Sequence, residues 1–438
     1  MIEDDEEEEK INNKIIKKKQ NLQKNLSDDN KEENEIDNTN NLKYLIDSQN
    51  KKSFNNKISA SFYYNNNNKN IRIPSIDIIK GFAVLSLIIF LSQNILDNKK
   101  FNFLSEWNEV KIFDFFPAIF YYVNGMCIYL TIEKKRKNKS KEYLIYLLFK
   151  KSFILYFIGI FFNYFNYYTF NKSNKLFSKN SFKNLKLTTI LLKPALLYLL
   201  IGTLFILNNI ILITFVFICF MTYIYLMYFY YEHFSENKNY AAYFDSKIFT
   251  YNHMTEPIDH FGIFNSLNII YISFNGFVIL YFNKGINLSI KILYFIIVLI
   301  FINFSLFCLF YFYYNNKIIY SICSTSYMFL ATMVCHVVYL LIFFLREILY
   351  VNIINNIFIF FEIFGTNSLF VYIICEIINF VLYITKVNKI IIHKHIIEKN
   401  SNNNNKYEIF NLLYIFCYLV IVGIFALGLY IKKLYIII

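Results

Sequence analysis

Ser105–Lys139 reads SEWNEVKIFDFFPAIFYYVNGMCIYLTIEKKRKNK. From Phe113 to Ile132 it is an apolar and aromatic run of the length that crosses a hydrocarbon core as a helix. It stops at the basic cluster Lys134, Lys135, Arg136 and Lys137. Yet Asp114 and Pro117 stand at its mouth, and Asn124 and Gly125 in its middle. A carboxylate at the centre of an inserted helix costs roughly 2.5–3.5 kcal/mol. Such a residue needs a partner or a water-filled cavity, so the stretch reads as one helix of a bundle with a polar interior.

The rest of the chain agrees with that reading. Its 438 residues are 56% hydrophobic and 20% aromatic, more apolar surface than a soluble protein of this length hides. The mean hydropathy is +0.37. Apolar runs of spanning length lie near 77–96, 113–132, 147–168, 187–207, 209–231, 261–282, 290–313, 319–345, 366–385 and 409–431. Residues 350–364 are too interrupted by Asn for a span and suit a surface or re-entrant helix. The expected fold is all-α, a polytopic transmembrane helical bundle of about ten spans over residues 71–438. Residues 1–70 are an acidic run followed by Lys/Asn-rich text, which buries too little to offset the entropy of ordering. They are expected to be a disordered cytosolic tail. No apolar signal-peptide core precedes Ile71.

The net charge is +13, from 44 basic and 31 acidic residues. In a soluble domain that balance suggests nucleic acid. Here the lysines crowd at the ends of apolar runs, where they orient and anchor spans, so the expected partner is the lipid bilayer and not nucleic acid. Basic residues around Ile71–Gly81 and Glu133–Lys141 place both ends of the first span pair in the cytosol, with the N-terminus. Segments 97–112 and 232–260 are then lumenal. The lysine-rich loop 166–186 runs against the rule. The seven cysteines form no CxxC pair and read as free thiols packed as small hydrophobes.

Candidate functional residues sit at helix mouths. Asp77 opens the first span and Asp114 the second, with Trp107 and Asn108 just before it. The long loop 232–260 holds His233, Asp245, His253, Asp259 and His260. Asn265 and Ser266 open the sixth span. Asn367 opens the ninth, and Glu376 lies within it. Plainer roles stand beside each. Asp77 and Asp114 are also good caps for helix starts, Trp107 a good interfacial anchor, and Lys134–Lys137 a topology signal. The loop histidines fit no HExxH spacing, so no metal is expected.

The blocks RIPSIDIIKGFAVL and EWNEVKIFDFFPAIFYYVNGMCIYL resemble the start of the heparan-alpha-glucosaminide N-acetyltransferase family and its bacterial relatives. That family opens R-x-x-S-x-D-x-x-R-G and continues with W-N-G and D-L-V-F-P-x-F-x-F-x-x-G. Arg72, Ser75, Asp77, Gly81, Trp107, Asn108, Asp114, Phe116, Pro117 and Gly125 match. Later blocks match at Asn239, Ala241, Ala242, Asp245 and His253, then at Pro257, Gly262, Asn265 and Ser266. A last block matches at Gly365, Asn367, Ser368, Val371, Tyr372 and Glu376.

The resemblance implies a membrane acetyltransferase that takes acetyl from cytosolic acetyl-CoA and delivers it to the amine of a lumenal amino sugar. It implies an endomembrane location, and it is compatible with a homodimer. Several expected chemical residues are replaced. Leu104 stands where the family has the expected catalytic His. Tyr198 and Leu199 replace Gln-Arg, Cys375 replaces the His of His-Glu, and Lys80 replaces the Arg of Arg-Gly. The remaining candidate for general base is His253, with Asp114 or Glu376 to orient it or bind the amine. Asp77, Trp107, Asn108, Asp245, Asn265, Ser266 and Asn367 are candidates for acceptor binding, and Lys134, Lys135 and Arg136 for the phosphates of acetyl-CoA. Two other readings stay open: a relative that keeps the fold without catalysis, and a small-solute transporter.

Overall fold

The apolar runs fold as helices, and no strand occurs among the described residues. The structure is a computed structural model that describes residues 73–96, 110–170, 187, 189–229, 239–249, 262–283, 289–314, 317–349, 352–384 and 404–432. The tail expected over residues 1–70 lies outside them.

Helix α1 is Pro74–Leu96. A 3-10 turn, Ile112–Asp114, leads into α2, Phe115–Arg136. Then follow α3 (Lys141–Phe170), α4 (Leu192–Leu207), α5 (Asn209–Phe229) and the short α6 (Tyr240–Phe249). Next come α7 (Ser266–Asn283), α8 (Ser289–Cys308) and α9 (Thr325–Phe343). The chain continues with α10 (Asn352–Thr366), α11 (Ser368–Ile384) and α12 (Asn404–Ile431).

Local chemistry sets several of these ends. Pro74 occupies the first turn of α1, where its missing N–H costs little, and Asp77 complements the positive end of the same helix. Lys134, Lys135 and Arg136 complement the negative end of α2. Asn208 is extended between α4 and α5, and its side chain accepts from Ile210 N at 2.9 Å. Ser324 caps α9 by accepting from Tyr327 N at 3.3 Å.

Five helical stretches among the described residues are long and apolar enough to cross a membrane: Ile112–Arg136, Lys141–Tyr164, Asn209–Phe229, Lys291–Tyr313 and Thr325–Arg346. A sixth is counted if the bent pair Asn356–Thr366 and Ser368–Ile378 is one broken span. These helices make the chain a membrane protein.

One detail differs from the sequence reading. The run 319–345 becomes helical only at Thr325, because Ile319–Ser324 forms a largely buried turn whose carbonyls at Ser321, Ile322 and Cys323 accept from Asn265, Tyr223 and Asn268. The Asn-interrupted piece near 350–364, expected as a surface or re-entrant helix, is the helix α10, which meets α11 at a 75° bend.

Side chains sort as a bilayer requires. Phe149, Phe153, Phe157 and Phe161 recur every four residues along α3 and are exposed, as are Ile213 and Phe217 of α5 and Phe301 of α8. Inside, two crossings bring backbones into contact. Added side-chain carbons at Gly81 and Gly365 would collide with the carbonyls of Phe361 and Asp77, so α1 and α10 meet there. Gly125 and Gly276 face the carbonyls of Ser273 and Tyr122 in the same way and bring α2 onto α7. Small residues at such crossings let membrane helices pack without a hydrophobic driving force.

Candidate functional site

Asp114 is fully buried. Its carboxylate accepts from Lys111 N at 2.7 Å while its own N–H donates to Lys111 O at 3.1 Å, closing the turn that enters α2. The sequence pointed it toward the first or sixth span. A direct contact on another helix is on α9, where Tyr327 Oη donates to the Asp114 carbonyl at 2.6 Å. The Tyr327 ring stacks on Phe115 at 6.0 Å, and Tyr320 meets Tyr327 edge-on at 5.6 Å. Burial, and after it the charge of Asp114, raises the Tyr320 phenol above its ordinary range, so this hydroxyl keeps its proton.

The turn that carries Tyr320 is irregular backbone inside protein, which membranes tolerate only where the polar groups are satisfied. Asn265 donates to Ser321 O at 2.8 Å and Asn268 to Cys323 O at 2.7 Å. Tyr223 donates to Ile322 O at 2.9 Å, and Ser324 Oγ accepts from Ile319 N at 3.0 Å. Cys323 holds a positive φ of 50°, a strained conformation for a residue with a side chain. Its thiol is pushed up to about 12 by burial, against the opposing charge of Lys193. Lys193, in the first turn of α4, is itself buried and sits 5.6 Å from the Tyr121 ring centroid. An acid and a base from different helices therefore flank one tyrosine-rich interior at the Asp114 end of the bundle.

Asp245 of α6 is buried, and one carboxylate oxygen accepts from Ile263 N at 3.0 Å and Phe264 N at 3.1 Å. It was a candidate for acceptor binding. Two of its contacts fix the turn that delivers Asn265 and Ser266 to α7, both buried. The loop 232–260 is thus interrupted by a helix that docks under Phe264.

In the first turn of α1, Asp77 pairs with Lys80 at 3.2 Å. The α1–α10 crossing places Gly365 against the Asp77 carbonyl, and the bend at buried Asn367 follows two residues later. Glu376 is buried beside Tyr372 on α11. Cys375, at the position of the family His, packs among Val84, Phe364 and Val422, and its carbonyl accepts from Tyr418 Oη at 2.9 Å. It behaves as a small hydrophobe.

His336, buried in α9, escaped the sequence reading because it lies inside an apolar run. Its Nδ1 lies 2.9 Å from Tyr122 Oη, while its Nε2 has no hydrogen-bond partner among the described residues. Lys193 and Tyr320 were missed too. A lysine inside the fourth apolar run was the one visible signal for the first of them.

At the other end of α2, Lys134 and Arg136 are exposed and Lys135 is half-buried; Arg136 lies 5.7 Å from the Phe205 ring centroid. The candidates Trp107, Asn108 and His253 lie outside the described residues. Among the described residues no three His, Cys, Asp or Glu side chains gather as metal ligands. No protein-family model matches the chain, and a search of curated proteins finds no match.

Proposed function

We propose that this chain is a multi-pass membrane acyltransferase of the heparan-alpha-glucosaminide N-acetyltransferase type. It takes acetyl from acetyl-CoA at the cytosolic face and transfers it to the amine of a lumenal amino sugar. One observation carries the reading. Asp77, Asp114, Asn265, Asn367 and Glu376 lie in family-like blocks across the chain, and all are buried within a bundle whose outer faces are apolar. Polar groups kept in such an interior serve a ligand or a path more often than stability.

Acetyl transfer to an amine needs a base for the ammonium proton and donors for the developing oxyanion. In this reading His253 is the base, and Asp114 or Glu376 orients it or binds the amine. The protonated Tyr320 phenol beside Asp114 supplies a donor. Trp107, Asn108, Asn265, Ser266, Asn367 and Asp77 shape the acceptor's surroundings. Lys134, Lys135 and Arg136 attract the donor's phosphates. The bundle has ten spans, eleven if α10 counts separately, with a disordered cytosolic tail in an endomembrane.

The test is acetylation of glucosamine by purified protein supplied with labelled acetyl-CoA. Asp114→Asn lowers the rate. Leu104→His, which restores the family residue, raises it. Wild-type protein that acetylates no amine, with no gain from Leu104→His, overturns the reading.

The 75° break between α10 and α11 favours a second reading, because interrupted helices also build the solute sites of transporters. Solute flux without acetylation would select it.

A further inference from the structure

Three oxygen atoms at the Asp114 end of the bundle are buried and have no hydrogen-bond partner among the described residues. They are Asn268 Oδ1 and Ser266 Oγ in the first turn of α7, and Ser321 Oγ in the turn before α9. Asn268 is fully buried and Ser266 is 6% exposed. Turning the Asn268 amide over does not pair its oxygen. Its Nδ2 donates to Cys323 O at 2.7 Å, and the reversed amide would set one oxygen against another. Asn265 Nδ2 donates to Ser321 O at 2.8 Å, which holds Ser321 on the same seam. Ser266 precedes Ser273 by two turns and so shares the α7 face that meets α2. The tie from Tyr327 to Asp114 brings the start of α2 to this end as well.

A buried oxygen without a partner is costly, so three of them on one seam point to a partner that arrives from outside. The turn they border is strained at Cys323, whose φ is 50°, and strain of this kind collects at ligand clamps. The atoms themselves select the partner. Asn268 Oδ1 can only accept, which disfavours an anion. Lys193 is buried, and its charge already acts on Cys323 of the same turn, which disfavours a free cation. A neutral molecule with several O–H groups satisfies all three oxygens.

We infer that the seam between α7 and the Ile319–Ser324 turn is a hydroxyl-recognition subsite, in which Asn268, Ser321 and Ser266 hold ring hydroxyls of the acceptor and select an amino sugar over a bare amine. The inference rests on the acyltransferase reading and deepens it. Asn268 Oδ1 accepts from one hydroxyl of the ring. The two serine hydroxyls accept from others or donate to them. No covalent bond is made or broken by these residues; they set specificity. A site whose buried polar groups need the substrate's hydroxyls rejects an analogue without them, because its own groups are then left unpaired.

The experiment gives the purified full-length chain in nanodiscs acetyl-CoA with either glucosamine or cyclohexylamine, a ring amine without hydroxyls. Wild-type protein is expected to prefer glucosamine by about tenfold or more in kcat/KM. Ser266→Ala combined with Ser321→Ala is expected to raise the glucosamine KM several-fold, with kcat held, and to shrink that preference. Both changes delete atoms that the fold leaves unpaired, so without ligand the unfolding midpoint of the double variant stays level or rises. A second measurement needs no turnover: glucosamine raises the unfolding midpoint of the wild-type protein, and raises that of the double variant less. Equal KM values in the two proteins, equal rates on the two amines, or a midpoint lowered without ligand overturns the subsite; in those cases the acyltransferase reading stands. Stabilisation by glucosamine that depends on the two serines, without acetylation of either amine, overturns the acyltransferase reading and leaves the sugar site. Absence of both stabilisation and acetylation overturns the two together.

Discussion

The hydroxyl of Tyr327 donates to the backbone carbonyl of Asp114 at 2.6 Å, across 213 positions of sequence. The start of α9 is thereby fastened to the start of α2, and the Tyr327 ring lies flat against Phe115. The carboxylate that looked misplaced at the mouth of an apolar helix has two visible tasks. It closes the entry turn with Lys111, and it brings negative charge into an interior lined by Tyr320 and Tyr327.

Tyr327→Phe removes one buried hydrogen bond and leaves the Asp114 carbonyl short. The expected cost is about 1–2 kcal/mol. Thermal unfolding of the detergent-solubilised protein measures it. An unchanged midpoint would mean that the α2–α9 tie carries no stability.

The two glycine crossings predict sharper losses. Gly81→Leu and Gly125→Leu drive side chains into the carbonyls of Phe361 and Ser273, where neither backbone has room to yield. Overpacking of this kind costs ~1–3 kcal/mol or more. Gly428, which has no heavy atom within 4 Å of an added side-chain carbon, serves as the control. Size-exclusion profiles of Gly81→Leu and Gly428→Leu should separate cleanly, and identical profiles would refute the close packing.

The helices and the buried acids were legible because apolar runs and interrupting charges are local signals. Asp114 announced itself by standing at the mouth of a hydrocarbon run. Ile319–Ser324 did not, since its sequence is as apolar as a helix, and only Asn265, Asn268 and Tyr223 from other helices reveal it as a turn. His336 was hidden for the same reason: its meaning comes from Tyr122, which is remote in sequence. Asp245 matched a family block, yet its carboxylate is engaged by backbone N–H groups, a distinction that no residue pattern carries.

Asp245→Asn therefore acts through stability. It weakens two hydrogen bonds that fix the entry to α7, at an expected cost of about 1–3 kcal/mol. Acetylation kinetics on the folded fraction should show an unchanged acceptor KM. A raised KM without loss of stability would return Asp245 to acceptor binding.

Cys323 predicts an alkaline limit. Burial moves its thiol from an ordinary 9.0 to about 12, so above pH 9 the unfolded chain releases a proton that the folded chain retains. Stability present below pH 9 is lost as pH rises toward 12. Unfolding midpoints measured from pH 8 to 11 should fall, and fall less in Cys323→Ala. Equal slopes for the two proteins would contradict the assignment.

Acyl transfer across a membrane has a direct readout in sealed vesicles. Sealed vesicles carrying the protein, with the basic end of α2 outward, are loaded with glucosamine and given labelled acetyl-CoA outside. N-acetylglucosamine is expected to accumulate inside intact vesicles, with none when acetyl-CoA is confined to the interior with the amine. An amine that stays unmodified, or that crosses without gaining acetyl, would contradict it.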